Sequence, residues 1–150
     1  TNRPQELDEA VRRRFVHRLY IPLPSEDDRK ALFRVMICNE RHVLNDSDFD
    51  RLAGKTDGYS GADLSAVCKA AAMEPLRLLV EEMKRAGKSI EDVDNDSVNP
   101  ISINHFKGPL KQVKPSVSPK DLVQYEEWDG LYGTMASHSM EENDGDDSDW

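Results

Sequence analysis

The residues of this chain best suited to chemistry on a charged ligand are Arg12, Arg13 and Arg14, three consecutive guanidinium groups in a 150-residue chain of formal net charge -9. A guanidinium is planar, stays protonated and donates two parallel hydrogen bonds to phosphate oxygens, a geometry that lysine cannot reproduce. In phosphoryl transfer such a group stabilises the charge that develops on the transferred phosphoryl, an effect of about 10³ to 10⁵ in rate. An arginine triplet alone reads more simply as a solvated basic turn or a nuclear-localisation-like patch. Thr1-Asn2-Arg3-Pro4 and Leu7-Asp8-Glu9-Ala10 lie before it, and Tyr20-Ile21-Pro22-Leu23-Pro24 after it.

Other chemistry is less well represented. Cys38 and Cys68 sit in apolar stretches with no second Cys or His at ligand spacing, so both are expected as buried free thiols in a reducing compartment. His17, His42, His105 and His138 are scattered, and no metal site is legible. A pI near 4.9 argues against nucleic-acid binding by the chain as a whole. The sequence contains no run of about 18 apolar residues that would suggest a membrane span.

The elements that must hold the arginines follow from local pattern. Leu7 to Val11 predicts one or two helical turns with acids early, as the helix dipole favours, and puts the arginines at its far end. Leu19, Ile21 and Leu23 alternate with Arg18, Tyr20 and Pro22, which predicts a short strand stopped by Pro22 and Pro24. Ser25 with Asp28 is a capping box, opening a helix expected to run to about Arg41. Its apolar face is read as Ala31, Leu32, Val35, Met36 and Asn39, widened by Phe33 and Ile37. Asn45 to Ala53 predicts a short helix with Phe49, Leu52 and Ala53 inward, Asp46, Asp48 and Asp50 outward, and Gly54 as its stop. Ser60 with Asp63 opens the longest helix, in which Pro75 predicts a kink or break. Residues 86–99 read as a loop, and Ile103, Phe106, Leu110 and Val113 as a further helix that Gly108-Pro109 interrupts. Ser118, Pro119 and Asp121 open a last helix with Leu122, Tyr125, Trp128 and Tyr132 at roughly helical spacing. Beyond Gly133 the chain is polar and acidic, ending in Glu141-Glu142-Asn143-Asp144-Gly145-Asp146-Asp147-Ser148-Asp149-Trp150. It reads as a disordered, solubilising tail, with binding to a basic partner as the other reading.

The string TNRPQELDEAVRRRFVHRLYIPLP resembles the second region of homology of AAA ATPases. Its wording is that of the katanin, spastin, fidgetin and vacuolar-sorting group. GYSGADL resembles the sensor-two helix start of the same family, and VKPSVSPKDL the C-terminal helix, in wording similar to fidgetin-like proteins. The resemblance covers roughly residues 1–133. It implies a mainly α chain: the end of an α/β large subdomain with one short strand (1–24), a helical lid (25–115), a C-terminal helix (116–133) and an acidic tail (134–150). It implies that Asn2 positions the attacking water, that Arg13 and Arg14 are the fingers reaching a neighbour's nucleotide, and that Gly61 and Ala62 shape the adenine and ribose side of the pocket. Arg12 competes for the finger register. Where other branches carry an arginine beside that glycine, this chain has Ala62.

The cofactors implied are ATP and Mg2+, with magnesium ligands expected upstream. The partners implied are neighbouring subunits of a homo-oligomeric ring, a hexamer, and tubulin, in microtubule severing within the cytoplasm, at the cytoskeleton or in the nucleus. Disassembly of DNA-recombination filaments is the rival activity. A non-enzymatic, lid-like interaction module is the alternative of another class. Absent from the sequence are the Gly-x-x-x-x-Gly-Lys-Ser/Thr string that holds the β- and γ-phosphates and the acidic pair of such enzymes, so the chain by itself is expected to be inactive.

Overall fold

The computed structural model describes residues 3–87 and 97–134. They fall into two compact units, one formed by 23–117 and the other by the stretch up to Pro22 together with that from Ser118. Six α-helices occur among the described residues: α1 (Glu9–Arg14), α2 (Glu26–Ile37), α3 (Asp46–Gly54), α4 (Gly61–Arg85), α5 (Pro109–Gln112) and α6 (Pro119–Tyr132). Short 3-10 turns occupy Pro4–Glu6 and Ile103–Phe106. The chain is mainly α, as its patterns predict.

In the unit 23–117 one device starts three helices. Ser25 with Asp28, Asn45 with Asp48, and Ser60 with Asp63 each form a reciprocal capping box at the start of α2, α3 and α4. Each box satisfies backbone N–H groups that the first turn leaves without intrahelical acceptors. The core between the helices is built from Phe33, Leu52, Leu64, Val67 and Phe106, with Phe33 and Phe106 meeting edge to face at 6.2 Å. Aromatic pairs prefer that arrangement, because the positive ring edge faces the negative ring face.

Several expectations are corrected here. The buried stripe of α2 is Arg29, Phe33 and Ile37, flanked by Leu32 and Met36, while Ala31, Val35 and Asn39 are exposed. The helix ends at Ile37, short of Arg41, and Cys38 is exposed. The reason is a parallel bridge beyond it, in which Val43 donates to the Ile101 carbonyl (2.9 Å) and Ile101 to the Arg41 carbonyl (2.8 Å). That pairing draws the backbone out of helical geometry. Asp48 is buried, since its carboxylate closes the cap of α3. Gly54 lies within α3 rather than after it. The turn that follows needs Gly58, at φ 74, a conformation costly for residues with a Cβ.

Helix α4 runs unbroken through Pro75. The Pro75 ring is buried, and that burial offsets the bond lost at the Ala71 carbonyl. The pattern of Ile103 to Val113 does divide at Gly108-Pro109: Phe106 is buried in the 3-10 turn, and Pro109 starts α5 at the first helical position. Most of the 86–99 loop, and the acidic tail from Met135, lie outside the described residues.

In the other unit, α1, the first 3-10 turn and α6 are present, but the strand expected over Leu19 to Leu23 is not formed. Residues 15–25 carry no ladder, and Leu19 and Ile21 are exposed. Alternation alone does not make a strand; the backbone needs a partner edge, and none occurs among the described residues.

Candidate functional site

Arginines 12 to 14 form the last turn of α1, where cations face the negative end of the helix dipole. Asp8 caps the other end by accepting from the Val11 N–H at 2.7 Å. The three side chains are not equivalent. The Arg12 guanidinium lies 4.7 Å from the centre of the Tyr132 ring, a cation–π contact, and Arg12 is half-buried. Arg13 pairs with Glu9 across one helical turn with both side chains largely in solvent, and Arg14 is exposed with no ion pair among the described residues. Asn2, the expected water-positioning residue, lies outside the described residues.

The position of Arg12 is fixed by a residue that periodicity had read as an outward member of a strand. Arg18 donates from Nη1 to the Tyr132 carbonyl (2.9 Å) and from Nη2 to the Arg12 carbonyl (2.7 Å). Its own N–H reaches the Thr134 hydroxyl, while the Thr134 N–H returns to the Arg18 carbonyl. It therefore satisfies C-terminal carbonyls of α1 and α6 at once. Tyr20 is also engaged in this unit: partial burial, and then the carboxylates of Glu126 and Asp129, push its hydroxyl pKa up.

Gly61 and Ala62 form the first turn of α4, in the other compact unit, and both are exposed. A side chain built on Gly61 would meet nothing within 4 Å, so internal packing does not demand a glycine there. The dipole at this end is already answered by Asp63. A single oxygen of its carboxylate accepts from the N–H and hydroxyl of Ser60 (2.9 and 2.8 Å) and from the N–H and hydroxyl of Ser116 (3.1 and 3.0 Å). Burial raises the carboxyl pKa, but these donors outweigh it and hold it below the ordinary value. With a carboxylate fixed at this terminus, a further anion is disfavoured. An uncharged group can still approach the free N–H groups of Gly61 and Ala62. Ser116 was missed in the sequence because its partner is 53 residues away.

No group of three or more His, Cys, Asp and Glu able to hold a metal occurs among the described residues, and no described helix is long and apolar enough to cross a membrane. Arg13 and Arg14 thus share one turn, Gly61 and Ala62 another, and the two pairs belong to different units.

Comparison with known proteins agrees with this architecture. The family model described as the AAA+ lid domain matches residues 46–93, and that of the Vps4 C terminal oligomerisation domain matches 83–133. Fidgetin-like protein 1 of Drosophila melanogaster is 42% identical over 133 residues, which are 89% of this chain and 24% of that protein. Spastin of Danio rerio is 44% identical over 133 residues, 89% of this chain and 22% of that protein. The chain spans less than a quarter of the length of both relatives. The crystal structure of the FIGL-1 AAA domain in complex with ADP superposes with a TM-score of 0.77 at 38% identity, covering 89% of this chain and 43% of that one. A structure on katanin self-assembly gives 0.71 at 35% identity, covering 83% and 43%. The chain belongs to the AAA ATPases of the katanin, spastin and fidgetin group, of which it carries the lid and the Vps4-type oligomerisation region.

Proposed function

We propose that the full-length protein is a ring-forming ATPase, a hexamer, in which Arg13 and Arg14 reach the nucleotide held by a neighbouring subunit. The observation that carries this reading is the division of labour within the triplet. Arg12 is engaged on Tyr132, while Arg13 and Arg14 project from the same turn into solvent. Arg13 can exchange Glu9 for a phosphate at little cost, because an exposed ion pair contributes only about 0.2 to 1 kcal/mol. ATP with Mg2+ would supply the phosphoryl group and the neutralising charge upon it, with magnesium ligands from residues outside this chain. Within the chain, Arg13 and Arg14 would donate to the γ-phosphoryl oxygens, Asn2 would orient the water, and Gly61 and Ala62 would leave room for the nucleoside. The match to an oligomerisation domain and the likeness to a nucleotide-bound relative support this assignment.

The work done by the ring is proposed to be the remodelling of a polymer, namely the severing of microtubules, with spastin and katanin among the relatives as its support. In the full-length protein, Arg13→Ala with Arg14→Ala is expected to lower ATP turnover by about 10³ or more while nucleotide affinity changes little. Mixing that variant with a phosphate-loop variant should restore part of the activity. No rescue would overturn action across subunits. Loss of labelled microtubule mass that requires ATP is the expected outcome for the polymer, and microtubules left intact would redirect the activity to another filament.

A further inference from the structure

On the lid, α3 and the segment from the 3-10 turn through α5 border a cleft of about 380 Å³ whose rim is basic and whose floor is apolar. Arg51, Lys55, Lys107 and Lys111 stand around it, all exposed and none in an ion pair among the described residues. Leu52, fully buried, and the half-buried Leu110 line it. These four cations cluster around one cleft of a chain of net charge -9, whereas Lys30 pairs with Asp50, Arg34 with Asp46 and Arg77 with Glu74 on the same unit. Unpaired charges around an apolar floor suit a ligand carrying several carboxylates and one bulky apolar group.

The chain itself contains such a segment. Between Glu141 and Asp149 six of its acids lie without a single Lys or Arg, and Trp150 follows directly. We propose that this cleft binds the acidic segment 141–150 of a second copy of the chain. The carboxylates pair with Arg51, Lys55, Lys107 and Lys111, and Trp150 covers Ile103 and Leu110. Copies gathered through the oligomerisation region would raise the effective concentration of the segment near the cleft, so that weak exposed pairs suffice.

The test uses full-length chains, one population labelled with nitrogen-15. A zero-length carbodiimide reagent activates a carboxylate and joins it to a lysine amine as an amide, with loss of water to the reagent. Mixed-isotope peptides linking 141–149 to Lys55, Lys107 or Lys111, in preference to exposed Lys69 and Lys120, are the expected result. Same-isotope links alone, or links spread evenly over all lysines, would overturn the proposal. A dye-labelled peptide of residues 135–150 should bind the chain about tenfold more weakly after Lys107→Glu with Lys111→Glu, and not after Lys69→Glu with Lys120→Glu. Asp144→Asn with Asp146→Asn and Asp147→Asn should weaken the cross-links with the lid untouched, which separates the interaction from any misfolding of the lid variant. Equal peptide affinity in both lysine variants contradicts the proposal. So does a cleft variant that loses only a DNA oligonucleotide, which would assign the cations to nucleic-acid phosphates.

Discussion

Arg29 shows how much can rest on a single side chain in a small lid. Its guanidinium is buried, donates from Nε and Nη2 to the Ala53 carbonyl (3.2 and 3.1 Å) and from Nη1 to the Pro24 carbonyl (2.9 Å), and so closes the C-terminal end of α3. Arg29→Ala leaves both carbonyls without this donor and is expected to cost about 2 to 3 kcal/mol, read as a lower urea midpoint at unchanged slope. Asp63 makes a pH-dependent contribution. Its folded pKa lies below the unfolded one, so the stability it contributes is fully present above the ordinary carboxylate range and is lost as pH falls through the folded value. Asp63→Asn should therefore destabilise the unit by about 1 to 3 kcal/mol at pH 7, with a difference that shrinks on acidification below about pH 4, checked by urea titrations across that range. The two thiols should separate as well. Cys38 is exposed, whereas burial pushes the Cys68 thiol up to about 12, so an aromatic disulfide reagent at pH 8 should label Cys38 within minutes and Cys68 only on unfolding.

At the scale of the element, α6 depends on its ends. None of its residues is fully buried, so packing holds it less than the Ser118–Asp121 box, Pro119 in the first position and Arg18 at its last carbonyls. Ser118→Ala is expected to cost about 1 kcal/mol, seen as an earlier loss of helical signal on heating. The same dependence explains what could be read from the chain beforehand. Capping boxes are decided three residues apart, so the starts of α2, α4 and α6 were legible, and so was the split at Gly108-Pro109, whereas the Asn45–Asp48 box of α3 was passed over and Asp48 read as outward. The buried stripe of α2 was misplaced because its first member is an arginine, which a hydrophobic pattern passes over and which only the distant end of α3 makes intelligible. The strand at Leu19 to Leu23 failed for the converse reason: its local pattern was present and its pairing edge was not. In the candidate site, residue types pointed to the triplet Arg12 to Arg14, and the family resemblance to Arg13 and Arg14 within it. The reason for setting Arg12 apart lay in Tyr132, more than 100 residues away, beyond the reach of spacing.

At the scale of the whole molecule, the proposed fingers would need an apparatus that holds a triphosphate in place. In the proposed role, Arg13 and Arg14 would stabilise developing charge only on a nucleotide that is already bound and oriented. The cradle of backbone N–H groups with its lysine, which grips the β- and γ-phosphates, has no matching Gly-x-x-x-x-Gly-Lys-Ser/Thr string in these 150 residues. At the first turn of α4, the Asp63 carboxylate already answers the helix dipole, and Ala62 brings no positive charge there. A net charge of -9 further opposes capture of free ATP. The chain as a purified polypeptide is therefore expected to release no phosphate from ATP above the buffer rate, even at high protein concentration, in a coupled phosphate assay. Turnover that rises with the protein, survives further purification and disappears with Arg13→Ala and Arg14→Ala would show that the chain holds the triphosphate by itself, and would place the fingers within one copy rather than between two.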